Sequence, residues 1–343
     1  MTTRLRQTIR LAAVCLVVAC GALGYLATRL SKPYPETASN VIVDIPRGSG
    51  AREVIRTLGE RHVIENEWAA LAYLVFSGTR GDLKAGEYLF DRPMTIPEVI
   101  EKVVNGRVYL HRFTVPEGLT VGATAAKWEE QGFGPAADFL QAADKAAPLI
   151  RDLDPAARNV EGYLFPETYF FPKGASPESA VAAMVGRFRS VIAKLKGTAQ
   201  GAAWPLGLHE TVILASMVET EAAAAEERAL VSSVYLNRLR KRILLQCDPT
   251  VIYALERDKR YQGRLTRADL KYESPYNTYV HHGLPPTPIT NPGFASLHAA
   301  AYPAATSYIY FVRGAGGRHV FSETLAAHNR AVAAYRAMQK AGR

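Results

Sequence analysis

Residues 211–221 read TVILASMVETE and predict a helix at the centre of a folded domain. Every position from Val212 to Val218 is apolar or small, so most of the helix circumference should be buried. Glu219 ends this apolar run. A carboxyl held against Met217 and neighbouring apolar groups would favour its protonated form, which a general acid working near neutral pH requires. Glu219 is therefore our candidate catalytic residue.

Further glutamates follow Glu219 closely. Glu221 lies about 200° further around the helix, so the two carboxyls cannot both face one substrate. Glu226 would share the face of Glu219 if the helix continued, but Glu226-Glu227-Arg228 is more typical of the start of a new helix, where acids suit the helix dipole. The pattern alone also allows a solvated acidic helix end, and the roles of Glu221 and Glu226 stay open.

Two segments downstream carry polar groups that suit a sugar or a peptide. The segment LQCDPT offers Gln246 and Asp248, which could bind such a ligand or simply form a turn and a helix cap. Residues 273–293 contain five prolines and two glycines, so they cannot form a regular element. Side chains such as Tyr276 and Asn277 suit an ordered groove wall better than a floppy tail.

Motifs for metal, nucleotide and thiol chemistry are missing from the sequence. The histidines lack the spacing of a metal site, and no HExxH, CxxC pair, GxGxxG, Walker loop or GxSxG elbow is present. Cys247 has no evident base near it in sequence, which argues against a thiol nucleophile. We therefore predict neither a metal nor a cofactor.

The net charge of the chain is explained better by membrane topology than by a nucleic-acid partner. The 343 residues carry a formal charge of +9, which at first indicates nucleic-acid binding. Residues 1–35, however, hold five basic residues and no acidic one, whereas residues 36–343 hold 36 basic and 32 acidic residues. Because the excess is concentrated at the N-terminus, we predict no nucleic-acid partner.

A long apolar run lies beside these N-terminal charges. As a helix, Leu11–Ala27 would span about 25 Å, close to the roughly 30 Å core of a bilayer. More basic residues precede the run than follow it, which predicts a cytoplasmic N-terminus at 1–10, a transmembrane anchor at 11–28 and an exported remainder. The sequence VVAC ending at Cys20 also fits a lipoprotein cleavage site, but the run continues past it, which favours an uncleaved anchor.

The remaining sequence alternates between strand and helix patterns. Residues 29–40 are polar and contain prolines, and we interpret them as a linker. The motif IPRG at 45–48 recurs as VPEG at 115–118, each time between a strand pattern and a helix pattern. This weak repeat places a module boundary near residue 110, between a smaller module at 41–110 and a larger one at 111–343.

Several segments together resemble one enzyme family. ILASMVETE, VYLNRLR, LQCDPTVIYAL, SPYNTY, GLPPTPITNPG and YFVRGAGGRHVFSETLAAHN occur in the order and spacing seen in the endolytic murein transglycosylases, the MltG or YceG-like family. KAGEY and EGYLFPETYFF resemble the upstream part of the same family. The resemblance covers about residues 40–335, and a single short N-terminal anchor is also typical of the family.

The resemblance implies an α+β fold and a location. It implies a single transmembrane helix, a LysM-like, peptidoglycan-associated subdomain at 41–110, and a mixed α+β catalytic domain at 111–343 with a lysozyme-like catalytic helix. The chain would lie in the plasma (inner) membrane with its catalytic domain extracytoplasmic or periplasmic. Its partners would be peptidoglycan glycan strands and cell-wall synthases, the penicillin-binding proteins.

The resemblance also implies the reaction and its residues. The family cleaves the MurNAc–GlcNAc β-1,4 bond within nascent strands without water, leaves a 1,6-anhydro-MurNAc end and terminates strand growth. Glu219 matches the catalytic glutamate, acting as general acid and then as base. Because the muramyl C6 hydroxyl is the nucleophile, one carboxyl suffices, whereas hydrolases usually place two across the bond. The residues that would position the glycan are Gln246, Asp248, Tyr276, Asn277 and His319.

Two other functions remain alternatives. The chain could be a noncatalytic peptidoglycan-binding scaffold that recruits synthases, or a hydrolase. Met217 and Thr220 occupy positions that vary in the family motif, and Cys247 stands where a hydroxyl residue is common. None of these departures removes a carboxylate, so they bear only on substrate preference.

Overall fold

The computed structural model describes residues 3–34, 40–198, 203–222 and 224–341. The chain divides into two compact units. The first unit comprises Met1–His111 with Phe170–Lys173, and the second comprises Arg112–Tyr169 with Gly174–Arg343. Each unit has its own core, and each is described by itself.

The N-terminal helix α1 (Thr3–Ser31) contains the predicted anchor. Its segment Arg10–Ser31 is long and apolar enough to cross a membrane, and its residues are exposed or at most half-buried. The helix continues into the segment 29–40 that we assigned to the linker, and residues 35–39 of that segment lie outside the described residues.

Between residues 40 and 109, the first unit forms two strands and three helices around one apolar core. The strands pair antiparallel, with Val43 opposite Tyr88, and both residues are fully buried. The last helix begins with a capping box in which the side chains of Thr95 and Glu98 each accept the other's backbone N–H, as their spacing predicts. In chain order the elements are β1 (Val41–Ile45), α2 (Ala51–Glu60), α3 (Glu67–Phe76), β2 (Gly86–Phe90) and α4 (Ile96–Val104).

The second unit is mainly helical. Among the described residues, its longest interval between α-helices is 258–293, which contains the proline-rich segment that the composition predicts to be irregular. Within the described residues its helices are α5 (Val121–Glu130), α6 (Ala136–Asp144), α7 (Pro177–Thr198), α8 (Leu208–Glu221), α9 (Arg228–Arg240), α10 (Asp248–Arg257), α11 (Phe294–Ala301) and α12 (Leu325–Ala341).

Two short sheets complete the described part of the chain. β3 (Leu110–Thr114) pairs with β4 (Thr168–Pro172). β5 (Tyr310–Arg313) and β6 (His319–Ser322) form an antiparallel hairpin. The mixture of helices with these sheets confirms the α+β class.

The helix α8 lies at the centre of the second unit. It packs against α9, α10 and α11, so it has neighbours around most of its circumference. A short helix with apolar residues on all sides is stable only when such neighbours surround it. The end of α8 is therefore held in a fixed position relative to α9 and α11, which both contribute to the site described next.

Candidate active site

The helix α8 is buried along its whole apolar run, which confirms the prediction from its sequence. No residue between Val212 and Val218 is more than 3% exposed. The helix ends at Glu221, because Ala222 turns to extended backbone with a ψ of 112°. Glu219 therefore lies in the last turn, directly after the buried part of the helix.

The Glu219 carboxyl is shielded from solvent but has two polar partners. Its side chain is only 5% exposed. Oε2 accepts a hydrogen bond from the Gly293 N–H at 2.9 Å, and Oε1 accepts one from Arg228 Nη2 at 3.4 Å. The proline-rich segment and α9 thus each bring a donor to this carboxyl, and the sequence did not predict either donor.

Arg228 joins Glu219 to a second carboxylate. It is the first residue of α9, and its Nε donates to Ser296 Oγ at 3.1 Å. Its Nη2 also lies 4.0 Å from Oε2 of Glu117, whose side chain is half-exposed. One largely buried guanidinium thus holds two glutamates in a single site.

Glu117 and Glu219 are close enough to influence each other. Partial burial raises the pKa of Glu117, the charge of Glu219 raises it further, and the charge of Arg228 opposes both effects. Gly293 lies beside Glu117, since a Cβ added at residue 293 would be 1.8 Å from Glu117 Oε1. Any side chain at residue 293 would therefore displace the Glu117 carboxyl.

The proline-rich segment 273–293 is fixed against α8 by hydrogen bonds. The Ile289 N–H donates to Ser216 Oγ at 3.0 Å, and Thr290 Oγ1 donates to the Ser216 carbonyl at 3.3 Å. Ser216 itself is fully buried in the middle of α8. The segment is therefore an ordered wall beside the helix, as its composition predicts.

Asn291 ties the same segment to two other parts of the second unit. Its Oδ1 accepts hydrogen bonds from the Gly162 N–H at 2.9 Å and the Leu164 N–H at 3.0 Å. Its Nδ2 donates to the Leu119 carbonyl at 2.8 Å. Because Gly293 follows two residues later, the N–H that contacts the candidate catalytic carboxyl is positioned by this fully buried amide.

Glu161 supports this arrangement from inside the unit. It is 6% exposed, and its carboxyl accepts from the Val121 N–H at the start of α5 at 3.0 Å. Tyr253 Oη donates to it at 3.4 Å, and Asn291 Nδ2 lies 3.5 Å away. Burial raises the pKa of Glu161 to about 8, although these donors oppose the rise. Glu161 is too enclosed to meet a polymeric substrate, so its contribution is structural.

Glu221 belongs to a different polar cluster from Glu219. Burial raises the pKa of Glu221, whereas its contact with the Cys247 thiol opposes that rise. The side chains of Asp248 and His319 are near enough for their charges to act on Glu221. The two glutamates of α8 therefore have separate partners, as their spacing along the helix predicts.

Three of the predicted binding residues are connected with the surroundings of Glu221. Asp248 and His319 lie near its carboxyl, and Gln246 precedes Cys247, whose thiol contacts it. Asp248 accepts a hydrogen bond from Tyr279 Oη at 2.5 Å, and His319 Nδ1 lies 2.8 Å from Glu227 Oε2. Gln246 has left-handed backbone, with a φ of 54°, and its Oε1 accepts from a guanidinium of α9 at 3.3 Å. Gln246 and Asp248 are exposed, whereas the His319 side chain is only 8% exposed.

The other two predicted binding residues are inside the protein. Tyr276 is 4% exposed and Asn277 is fully buried. Tyr276 Oη pairs with Thr287 Oγ1 at 2.8 Å, and Asn277 Nδ2 donates to the carbonyls of Leu270 and Tyr272. These bonds stabilise the proline-rich segment, and contact of these two residues with a glycan stays a prediction.

Comparison with known proteins shows the family. Residues 43–334 match the profile of the YceG-like family. The chain belongs to the YceG-like family. A relative from Bacillus subtilis (strain 168), named endolytic murein transglycosylase, is 33% identical over 330 residues, which cover 92% of this chain and 90% of the relative. A Streptococcus pneumoniae (serotype 2, strain D39 / NCTC 7466) protein of the same name is 27% identical over 85% of this chain and 58% of its own length.

A solved structure extends the comparison to the fold. The 2.6 Å crystal structure of a YceG-like protein from Listeria monocytogenes is 32% identical to this chain. It superimposes with a TM-score of 0.55 over 85% of this chain and 99% of its own. This YceG-like chain therefore shares both sequence and fold with its relatives.

Sequence reasoning missed two residues of the site in this YceG-like protein. Glu117 lies in the VPEG motif, which we used only to place a module boundary, and Arg228 follows a pair of glutamates that we assigned to a helix start. That assignment is confirmed, since Ala225–Glu227 form a 3-10 turn directly before α9. Among the described residues, no three His, Cys, Asp or Glu side chains converge to hold a metal ion.

Proposed function

We propose that this YceG-like chain is a membrane-anchored endolytic peptidoglycan lytic transglycosylase. It cleaves the MurNAc–GlcNAc β-1,4 bond in nascent glycan strands and leaves 1,6-anhydro-MurNAc ends. Membership of the family and the names of the relatives support this assignment. The observation that carries it is the Glu219 carboxyl, which is 5% exposed and fixed between Arg228 and the Gly293 N–H.

In the proposed reaction, one carboxyl serves both proton transfers. Protonated Glu219 gives its proton to the glycosidic oxygen as the bond from that oxygen to the muramyl C1 breaks. The muramyl C6 hydroxyl forms the new bond to C1, and the Glu219 carboxylate accepts the hydroxyl proton. No water is consumed, and the carboxyl returns to its starting state. This differs from a hydrolase, in which a carboxylate must activate water or form a glycosyl intermediate.

Arg228 and Glu117 complete this mechanism. Arg228 is a positioning residue, because its bonds to Ser296 and Glu219 fix the direction in which the carboxyl points. Glu117 is the more exposed of the two carboxyls that Arg228 contacts. A negative charge at Glu117 would stabilise the positive charge that develops at the muramyl C1 in the transition state.

A long glycan bound at Glu219 would continue past the end of α8 to Gln246, Asp248 and His319, which would bind sugar units away from the scissile bond. Tyr276 and Asn277 would act on the strand through the segment that they hold in place. A long polymer needs such an extended site, because many weak contacts to hydroxyl and amide groups must fix the scissile bond within reach of one carboxyl.

The membrane topology is part of the proposal. The apolar part of α1 anchors the chain in the plasma (inner) membrane, with the basic N-terminus cytoplasmic and the two units outside. Residues 41–110 form the LysM-like, peptidoglycan-associated subdomain, and residues 111–343 form the catalytic domain. In this location the enzyme meets nascent strands beside the penicillin-binding proteins and terminates their elongation.

Product mass tests the proposal directly. The full chain, purified in detergent, is incubated with uncrosslinked glycan strands, and the new ends are analysed by mass spectrometry. We expect anhydro-muramyl ends, and Glu219→Gln should abolish them, because an amide cannot donate the required proton. Glu226→Gln is the matched control, since Glu226 is exposed and lies just before α9, so this variant should retain activity.

Each alternative has its own result in this experiment. Ends that are heavier by one water would identify a hydrolase. Binding of strands without any new ends would identify a scaffold. Anhydro ends that form at the wild-type rate in Glu219→Gln would show that another residue transfers the proton.

A further inference from the structure

The helix α3 carries an apolar face that is largely exposed in the described part of the first unit. Trp68 is 83% exposed, Val75 62% and Phe76 76%. Together with Leu71 and Ala72 they recur at intervals of three and four residues, so they form one continuous stripe along the helix. We call these five residues the outer face of α3.

The opposite side of α3 packs into the core of the first unit. Ala69, Ala70 and Leu74 are at most 4% exposed and belong to the core of the first unit. Within the outer face, Leu71 is half-buried and packs against the edge of that core, whereas Trp68, Val75 and Phe76 are exposed and are not needed to build it. A contiguous exposed stripe with a tryptophan and a phenylalanine is typical of a surface that binds a partner or a membrane.

The end of the membrane helix is fixed to the same unit. Leu26 and Leu30 of α1 pack against its apolar core, and Arg29 Nη1 lies 2.9 Å from both carboxylate oxygens of Glu65. Leu26 belongs to the apolar run that we assign to the bilayer. The part of the first unit that contacts α1 here therefore lies at the depth of the lipid headgroups. Glu65 belongs to this contact, and α3 begins only two residues after it.

Basic side chains line the groove beside the outer face. Arg52, Arg56 and Arg80 border an open groove of about 820 Å³, together with Glu53 and Glu67. Arginines next to apolar and aromatic side chains suit a membrane interface, because the rings enter the boundary of the acyl chains while the guanidinium groups bind phosphate.

We propose that the outer face of α3 docks onto the surface of a bilayer that contains anionic phospholipid. The proposal rests on the membrane anchor of the proposed function and adds a second point of attachment. A single spanning helix can tilt in the bilayer and carry the attached unit with it, whereas a second contact fixes the orientation of both to the membrane. Docking would explain why the most exposed residues of α3 are large and apolar.

Contact quenching tests the docking in the full chain. The chain is reconstituted into vesicles of phosphatidylcholine and phosphatidylglycerol, with or without bromine on the upper acyl carbons. Trp68→Phe is measured in parallel, and the difference between the two proteins gives the Trp68 emission. We expect brominated lipid to quench this emission by roughly half or more, because the indole lies at the interface. Replacing both Arg52 and Arg56 by glutamine should weaken the quenching.

Extraction with alkaline carbonate separates failure of the anchor from failure of the docking. Chains that leave the vesicles in carbonate would overturn the anchor and the docking with it. Chains that stay in the vesicles but show a Trp68 emission insensitive to bromine would overturn the docking alone. A blue-shifted Trp68 emission that bromine does not quench would show that protein, such as a second copy, covers this face instead of lipid.

Discussion

Replacing Glu161 with glutamine should change how the stability of the second unit depends on pH. The side chain is 6% exposed, and burial raises its pKa from an ordinary 4.5 to about 8. In the unfolded chain the same carboxyl ionises near its ordinary value. The unfolded state therefore binds fewer protons than the folded state between these two values, and rising pH favours unfolding.

The magnitude follows from proton linkage. Each pH unit between about 4.5 and 8 should lower the free energy of unfolding by about 1.4 kcal/mol through Glu161 alone. The loss reaches about 5 kcal/mol near pH 8 and is absent below about pH 4.5. Glu161→Gln cannot ionise and therefore does not show this loss. At low pH the variant should be less stable than wild type, because its amide brings N–H donors to the N–H of Val121.

Urea unfolding of both proteins at a series of pH values measures this difference. In a Trp68→Phe background, tryptophan fluorescence reports only the second unit, because Trp128 and Trp204 both lie there. Subtracting wild type from variant cancels the titration of all other groups. A difference that stays constant from pH 5 to pH 8 would refute the reasoning, since Glu161 would then be ionised in the folded protein across this range.

Three further substitutions test the geometry of the site. Gly293→Ala should lower kcat about tenfold with little change in Tm, because the new Cβ would lie 1.8 Å from Oε1 of the half-exposed Glu117, which can move aside. Gly162→Ala should destabilise the protein by about 3 kcal/mol or more, as measured by thermal unfolding. Its φ is +88°, and the new Cβ would lie 2.5 Å from the ring of Pro288. Arg228→Lys should lower kcat about tenfold or more in the anhydro-product assay, since lysine lacks the planar fork that reaches two partners.

Gly186→Ala is the control for both glycine variants. Gly186 lies in α7, and an added Cβ would meet nothing within 4 Å. This variant should keep wild-type activity and gain up to about 1 kcal/mol of stability, because alanine favours helix over glycine. A Gly293→Ala enzyme with wild-type kcat, or a Gly162→Ala protein as stable as wild type, would contradict the close contacts described for these positions. An Arg228→Lys enzyme of undiminished kcat would remove Arg228 from the mechanism.

Local sequence was enough to predict the helix that carries the candidate catalytic carboxyl. The run from Val212 to Val218 is apolar without a polar face, and such a pattern is stable only inside a core. The end of the buried part of α8 follows from the same pattern, because Glu219 is the first residue after the run that cannot be buried without a partner. The identity of that partner could not be predicted, since Arg228 reaches Glu219 only after the chain turns back at the 3-10 turn before α9.

Glu117 was harder to predict because its position in the site depends on residues far along the chain. The motifs IPRG and VPEG each end in a glycine with left-handed backbone, with a φ of 86° at Gly48 and 79° at Gly118. The repeat therefore encodes a turn in both places. Long-range contacts of the second turn, with Gly293, Arg228 and the Asn291 carbonyl, place Glu117 in the site, and no local pattern contains those contacts.

The proline-rich segment explains why the candidate site depends on buried polar side chains outside it. Its five prolines have no N–H to donate, and the backbone bonds within residues 273–293 lie in the turn between Ser274 and His281, so the part that reaches Gly293 depends on partners outside the segment. Ser216 accepts a hydrogen bond from the Ile289 N–H, and the Asn291 amide donates both to the Leu119 carbonyl and to the Glu161 carboxyl. The position of the Gly293 N–H therefore depends on this network of buried hydrogen bonds. The helix α8 shields the carboxyl and the proline-rich segment aims it, and neither element alone would position a carboxyl for proton transfer.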